Sequence, residues 1–172
     1  MALVLVDVQT DALAETVAEL EGSDILHRVL DVTDGAAMDT LAADAFARFG
    51  TVHLLFNNAG VGSTGLMWEA TTRDWEWVLG VNLWGTIHGV RAFVPRMLDA
   101  ARADPTYSGR VINTASMAGL IDPPLMGPYN VAKHAVVSLS ETLYHDLRMV
   151  GAKVGVSVLC PAFVATGIND SE

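Results

Sequence analysis

The chain is poor in cysteine and in lysine, and each scarcity narrows what it can be. A single cysteine, Cys160, rules out an intrachain disulfide. It follows an apolar β-type run and precedes Pro161, so it reads as a small buried hydrophobe. Lysine occurs only at positions 133 and 153, and ten basic side chains against twenty acidic ones leave a net charge of −10. Nucleic acid and anionic membranes both demand a basic patch, so neither is expected as a partner. No apolar run reaches the roughly 18 residues of a membrane span, and the N-terminus shows neither the basic region nor the small-residue cleavage site of a secretory signal. A reducing, cytoplasmic setting is the expectation. His27, His53, His88, His134 and His145 lack metal-ligand spacing, and there is no Cys or His cluster, so no metal site is expected. With no repeat, low-complexity tract or linker, residues 1–172 read as one domain.

Half of the residues are apolar (51%), enough for a packed core. Apolar runs that read as strands, Ala2–Asp7, Ile25–Asp31, Val52–Phe56, Arg110–Ala115 and Lys153–Leu159, alternate with helical patterns. The helices are Thr10–Leu20, Asp34–Gly50, a long stretch over Thr72–Ala103 that Pro95 should bend or interrupt, and Pro128–Val150. Strands separated by helices imply parallel βαβ units, an α/β doubly wound sheet with helices on both faces. In such sheets ligands gather at the carboxyl ends of the strands. Asp7, Asp31, Asn57 to Gly60, Ser116 and Pro161 onward all fall there.

The most informative group is Ser116, Tyr129 and Lys133. In a helix of about 3.6 residues per turn, positions 129 and 133 share a face. An ammonium within roughly 4–6 Å can lower a neighbouring acid's pKa by about 1–3 units. That would bring a tyrosine from about 10 towards neutrality, where it can act as general acid or base. A nearby serine hydroxyl could hold the substrate oxygen. Each of the three has an ordinary reading (core tyrosine, solvated lysine, capping serine), and their spacing at one sheet edge outweighs it. Asp7 suits the ribose hydroxyls of an adenosine and repels a 2′-phosphate, or simply caps a helix. Asp31 and Val32 could border an adenine, or cap the next helix. Asn57-Asn58-Ala59-Gly60 is a turn, or a close approach to a ligand. Asn82, polar among apolar neighbours, needs a partner: a backbone carbonyl at a helix irregularity, or a water leading to Lys133. After Pro161, backbone groups of Val164 and the Thr166 hydroxyl could bond an amide. Trp75, Trp77 and Trp84 read equally as core or as a helix interface.

Taken together, Asp7, Asp31-Val32, Asn57-Asn58-Ala59-Gly60, Asn82, Ser116, Tyr129-Asn130-Val131-Ala132-Lys133 and Pro161 through Thr166 resemble the short-chain dehydrogenase/reductase family over nearly the whole chain. The resemblance implies a Rossmann fold, a nicotinamide cofactor and hydride transfer. It implies Tyr129 as general acid/base, Lys133 lowering its pKa and bonding the nicotinamide ribose, Ser116 orienting the substrate oxygen and Asn82 anchoring a relay water. Asn58, Ala59 and Gly60 would line the adenosine side, and Pro161, Val164 and Thr166 the carboxamide side. Ala162 replaces the family's usual glycine after the proline. Asp7 points to NAD rather than NADP.

Two family features are not in these residues: the opening strand with its glycine-rich turn, and the final strand and helix. Ala2–Asp7 resembles the family's second strand. The expectation is therefore that Ala2–Asp7 and Val52–Phe56 close up and pair directly, or that another chain supplies a strand between them. Without the glycine turn, cofactor binding by these residues should be weak or absent. Two functions follow: an NAD(P)-dependent oxidoreductase interconverting a secondary alcohol and a ketone, or a catalytically inactive fragment acting by binding or assembly. Ala118–Gly127, mostly apolar, suggests an apolar substrate. The resemblance suggests a homo-oligomer through the helices at 72–103 and 128–150.

Overall fold

A computed structural model describes residues 1–20, 22–164 and 168; Thr166 lies outside the described residues. The strands are β1 (Ala2–Asp7), β2 (Asp24–Val29), β3 (Leu54–Asn57), β4 (Gly109–Thr114) and β5 (Val154–Leu159). Between them run α1 (Thr10–Glu19), α2 (Gly35–Phe49), α3 (Thr72–Leu79), α4 (Gly85–Ala103), a short α5 (Ala118–Ile121) and α6 (Gly127–Met149). Local chemistry sets several boundaries. Asp34 Oδ1 accepts from the amides of Ala36 and Ala37 and caps α2, and Gly50 ends it at φ 76°. Thr71 and Asp74 form a reciprocal capping box that starts α3.

All strand pairs are parallel, so the expected α/β order holds. The pairing differs from expectation in one respect. β1 pairs with β2, and β3-β4-β5 form a second sheet; β1 and β3 do not close onto one another. The helix layer explains why. Leu26 of β2 and Met38, Leu41, Ala42 and Ala45 of α2 share one apolar core with Leu55 of β3, Ala92 and Met97 of α4, and Val111 of β4. Sliding β1 onto β3 would pull α2 off α4 and open that core, at about 25 cal/mol for each Å² of apolar surface re-exposed.

The long helical stretch is interrupted at a different place from the one expected. Pro95 lies inside an unbroken α4, where Phe93, Val94 and Met97 are buried around it. Packing offsets the single backbone hydrogen bond that proline removes. The irregularity falls instead at Gly80–Trp84, one turn of π-helix joining α3 to α4. Trp77 packs against a smaller second core of Val78, Ala118, Tyr129 and Ala132, whereas Trp84 is half exposed. Among the described residues no helix is long and apolar enough to cross a membrane, and no cluster of His, Cys, Asp and Glu could hold a metal ion.

Candidate active site

The carboxyl ends of the strands bring the sequence-selected residues to one edge, and the second core seats the chemistry there. Tyr129 sits in the first turn of α6, behind Pro128, and is 8% exposed. Lys133 follows one turn later and is 2% exposed. Its Nζ lies 5.5 Å from the Tyr129 ring centroid and donates to the Thr114 carbonyl at 2.9 Å, at the end of β4. Among the described residues no carboxylate forms a salt bridge with it. Burial therefore pulls the ammonium from 10.5 down to about 8. An ammonium carries three donors, so Thr114 leaves two for other acceptors.

Ser116 stands two residues beyond β4. Its Oγ accepts from the Ala118 amide at 3.1 Å, so α5 starts on this serine and the hydroxyl proton is left to donate elsewhere. Behind Ser116, the backbones of β4 and β5 stay tied: Ala115 donates to Leu159 O and Met117 to Pro161 O. The Ser116 amide faces the Cys160 thiol, whose pKa is raised by burial against the lowering effect of that bond. Gly119 presses α5 onto α6 so closely that a Cβ there would lie 2.6 Å from the Lys133 carbonyl carbon. His134 Nδ1 bonds the Gly119 carbonyl at 2.8 Å, so this nitrogen carries the proton.

The loop after β3 is pinned from the π turn. Asn82 is 1% exposed; its Oδ1 accepts from the Val61 amide at 2.8 Å and its Nδ2 donates to the Val61 carbonyl at 2.9 Å. Its own carbonyl accepts from Thr86 Oγ1. Backbone bonding at a helix irregularity, one of the two partners that the sequence left open for this residue, is present. Gly60 fits this corner because a Cβ would sit 3.0 Å from Asn82 Oδ1 and 3.3 Å from Lys133 Nζ. Asn58 Oδ1 accepts from Thr114 Oγ1, while Ala59 stays exposed between these anchors.

On the β1–β2 side, Asp7 Oδ1 accepts from the Gln9 amide and Asp31 Oδ1 from the Thr33 amide, each closing a tight turn at a strand end. Val32 is fixed from α4: His88 Nδ1 bonds its carbonyl at 2.9 Å, and Gly85 makes room for its side chain. Pro161 and Val164 follow β5, with Val164 exposed.

Sequence reasoning missed a buried polar chain beneath the site. Asn57 Nδ2 donates to Asn113 Oδ1 at 2.8 Å, Asn113 Nδ2 to Ser140 Oγ at 2.9 Å, and Ser140 Oγ to the Val136 carbonyl at 2.7 Å. Asn113 is fully buried, and the chain ties β3, β4 and α6 together at Ser140, about two turns beyond Lys133. A signal was present: Asn113 alternates with Val111 on the inward face of an apolar strand. His88 and His134, which the sequence marked only as lacking metal-ligand spacing, each bond a backbone carbonyl here.

A family model for short chain dehydrogenases matches residues 1–172. The chain belongs to the short-chain dehydrogenase family. It is 35% identical over 174 residues to the CLA biosynthesis dehydrogenase/reductase of Lactiplantibacillus plantarum, covering 100% of this chain and 59% of that protein. It is 38% identical over 173 residues to the C alpha-dehydrogenase of a Sphingobium species, covering 99% and 54%. Among solved structures, a short chain dehydrogenase/reductase from Burkholderia phymatum in complex with NAD superposes with a TM-score of 0.94 at 54% identity, covering 99% of this chain and 60% of that one. The chain thus spans between 54% and 60% of the length of these relatives. Within this family frame, Ser116, Tyr129 and Lys133 occupy one corner, and the Asn82–Val61 pair forms its back wall.

Proposed function

We propose that this chain carries the catalytic half of an NAD-dependent oxidoreductase that interconverts a secondary alcohol and a ketone. The observation that carries the reading is Lys133: a buried ammonium with no carboxylate partner among the described residues, one helical turn from a buried tyrosine. A buried cation is costly to keep without a counter-charge, and here it lies 5.5 Å from the Tyr129 ring centroid. In the reduction direction the Tyr129 hydroxyl gives its proton to the carbonyl oxygen, Ser116 donates a hydrogen bond to that oxygen, and Lys133 offsets the negative charge that develops on the tyrosine; in oxidation the proton returns to Tyr129.

The residues present fit a nicotinamide dinucleotide. Lys133 has two donors beyond its bond to Thr114, which suit ribose hydroxyls. The backbone around Gly60 leaves space that a Cβ would fill against Asn82 and Lys133. Asp7, Asp31, Val32, Asn58 and Ala59 lie along the same edge, suited to an adenosine, and Pro161, Val164 and Thr166 follow β5, suited to a carboxamide. When bound, that group supplies the hydride acceptor or donor. The acid at position 7 supports NAD over NADP, because a carboxylate repels a 2′-phosphate.

An apolar substrate is supported by the rim: Met67, Trp68, Met117, Leu120 and Ile121 are all exposed there. A second copy of the chain is supported as partner by an apolar groove of about 440 Å³ between α4 and α6, lined by Val90, Ala135, Leu139 and Leu143. Scattering from the protein in solution reports that state; a monomer at high concentration would count against it. The function is tested by following NADH formation from secondary alcohols at millimolar NAD. Wild-type turnover, with a loss of about 10²–10⁴-fold in Tyr129→Phe, is the expected result. Equal rates in the two proteins would overturn the assignment of Tyr129.

A further inference from the structure

The amino ends of β4 and β5 carry an open cleft that the candidate active site does not use. It holds about 400 Å³, and Arg110, Arg148 and Lys153 line it with Ser108, Tyr144 and Gly155. Gly109 and Val154 begin the two strands, whereas Ser116 follows the far end of β4. The six residues of β4, at about 3.3 Å each, put roughly 20 Å between the cleft and Ser116.

Three of the ten basic side chains therefore line one cleft, in a chain whose net charge is −10. Elsewhere arginines take carboxylate partners: Arg28 with Asp44, Arg48 with Asp24 and Arg102 with Asp99. Among the described residues none of the three in the cleft does so. Each is held by a neutral oxygen instead. Arg110 donates from Nη1 to Ser157 Oγ at 3.0 Å, Arg148 from Nη1 to the Tyr144 hydroxyl at 3.2 Å, and Lys153 to the Pro105 carbonyl. Asp104 lies within electrostatic reach of Lys153, although its Oδ1 accepts from the amide and hydroxyl of Thr106. It offsets Lys153 in part, so the two arginines are the stronger anchors. Asp146, two residues before Arg148, lines the groove between α4 and α6 instead.

Both guanidinium groups are held in place. Arg148 Cζ lies 5.6 Å from the Tyr144 ring centroid, so the ring carries that group. Arg110 lies across Gly155, its partner on β5, where a Cβ would stand 3.1 Å from Arg110 Cζ. Arg148 also faces the carbonyl end of α6, which favours a cation in any case. That accounts for Arg148 alone; Arg110 is on a strand. A guanidinium has five N–H donors, and one internal hydrogen bond apiece leaves four on each arginine. Like charges repel within a Debye length of about 10 Å, and a bound anion relieves that cost. Phosphate oxygens match the guanidinium fork, and two forks with an ammonium beside them suit two linked phosphates.

We propose that this cleft binds a diphosphate group, free or carried by a nucleotide, with Arg110 and Arg148 as its main ligands and Lys153 beside them. The proposal is independent of the oxidoreductase reading, because the cleft lies at the opposite end of the strands.

Amide shifts of the isotope-labelled chain, titrated with pyrophosphate, ADP and adenosine, test it. Pyrophosphate should move the amides of Ser108, Arg110 and Gly155 and leave Gly60 and Ser116 in place. Half-saturation below about 1 mM at low salt is expected, weakening several-fold as salt is added. Arg110→Gln and Arg148→Gln should each weaken pyrophosphate about five- to tenfold. Their melting temperatures should stay within about 2 °C of the wild type, since both side chains are exposed. Arg91→Gln, an exposed arginine on α4 outside the cleft, should bind as the wild type does. Adenosine should not move the cleft amides. ADP bound more tightly than pyrophosphate, with the difference lost in Tyr144→Ala, would assign a nucleotide; equal affinities would assign the diphosphate alone. No pyrophosphate binding at about 10 mM, shifts at Gly60 and Ser116 in place of the cleft, or unchanged affinity in both arginine variants would each overturn the proposal.

Discussion

Replacing Lys133 with methionine should make the protein more stable at neutral pH, and the gain should disappear in alkali. The ammonium is 2% exposed and titrates at about 8 in the folded chain against 10.5 when unperturbed. At about 1.36 kcal/mol per pKa unit, holding the charge inside costs the folded state about 3 kcal/mol at pH 7. Methionine fills a similar volume without charge, but the substitution forfeits a charged hydrogen bond to the Thr114 carbonyl, worth about 1.5–3 kcal/mol. The net expectation is a gain of about 0–1.5 kcal/mol at pH 7. The folded-state value lies below the unfolded one, so between about pH 8 and 10.5 the unfolded chain binds more protons and wild-type stability rises through that window. By pH 10 the residual cost is about 1 kcal/mol, and the variant should then be equal to or less stable than the wild type. Urea unfolding of both proteins at pH 7 and pH 10, read by tryptophan fluorescence, measures the two differences. A variant less stable than wild type at pH 7, or a difference that does not change with pH, would refute the argument that Lys133 is a buried charge kept for chemistry. NAD-dependent turnover, where the wild type has it, should be lost in the variant at either pH.

Two further substitutions probe the scaffold around the site. Gly89→Ala puts a Cβ 2.1 Å from Asn57 Oδ1. It should cost about 2–4 kcal/mol by overpacking and by breaking the Asn57–Asn113 bond, seen as a lower urea midpoint with an unchanged slope. Asn82→Ala leaves the amide and carbonyl of Val61 without their side-chain partners. A destabilisation of about 2–4 kcal/mol is expected, with faster hydrogen exchange at the Val61 amide as the local signature. Slow exchange at Val61 in that variant would mean that the loop after β3 is held by something else.

Much of the fold was legible because its signals are local. The apolar runs and their caps placed each element within a few residues, and Asp34 and Gly50 bound α2 as their chemistry demands. Pro95 misled because a propensity rule was applied without its packing: Phe93, Val94 and Met97 hold α4 together around the proline. The π turn at Gly80–Trp84 has no propensity of its own, and its only trace in the sequence was a polar Asn82 in an apolar stretch. Of the two arrangements expected for the strand edges, direct pairing of β1 with β3 fails for a related reason. Unpaired strand edges suggested that β1 would close onto β3, yet the spacing is held by α2 against α4, a contact between residues far apart in sequence. His88 and His134 escaped notice because a histidine that bonds a backbone carbonyl looks, in sequence, like any other.

The sequence alone determined the parallel α/β alternation, the family and the spacing of the trio proposed to react, because each rests on residue type and short spacing. Only the tertiary structure decided that Lys133 is buried, without a counter-charge among the described residues. It also revealed that Asn82 spends both ends of its amide on Val61, and that Asn57, Asn113 and Ser140 form one buried chain. These are consequences of which distant segments meet, and of how much water their meeting excludes. A lysine four residues after a tyrosine fixes their relative position on a helix. The cost of its charge is set by burial, which distant segments impose, and is offset in part by the β4 carbonyl that accepts from it.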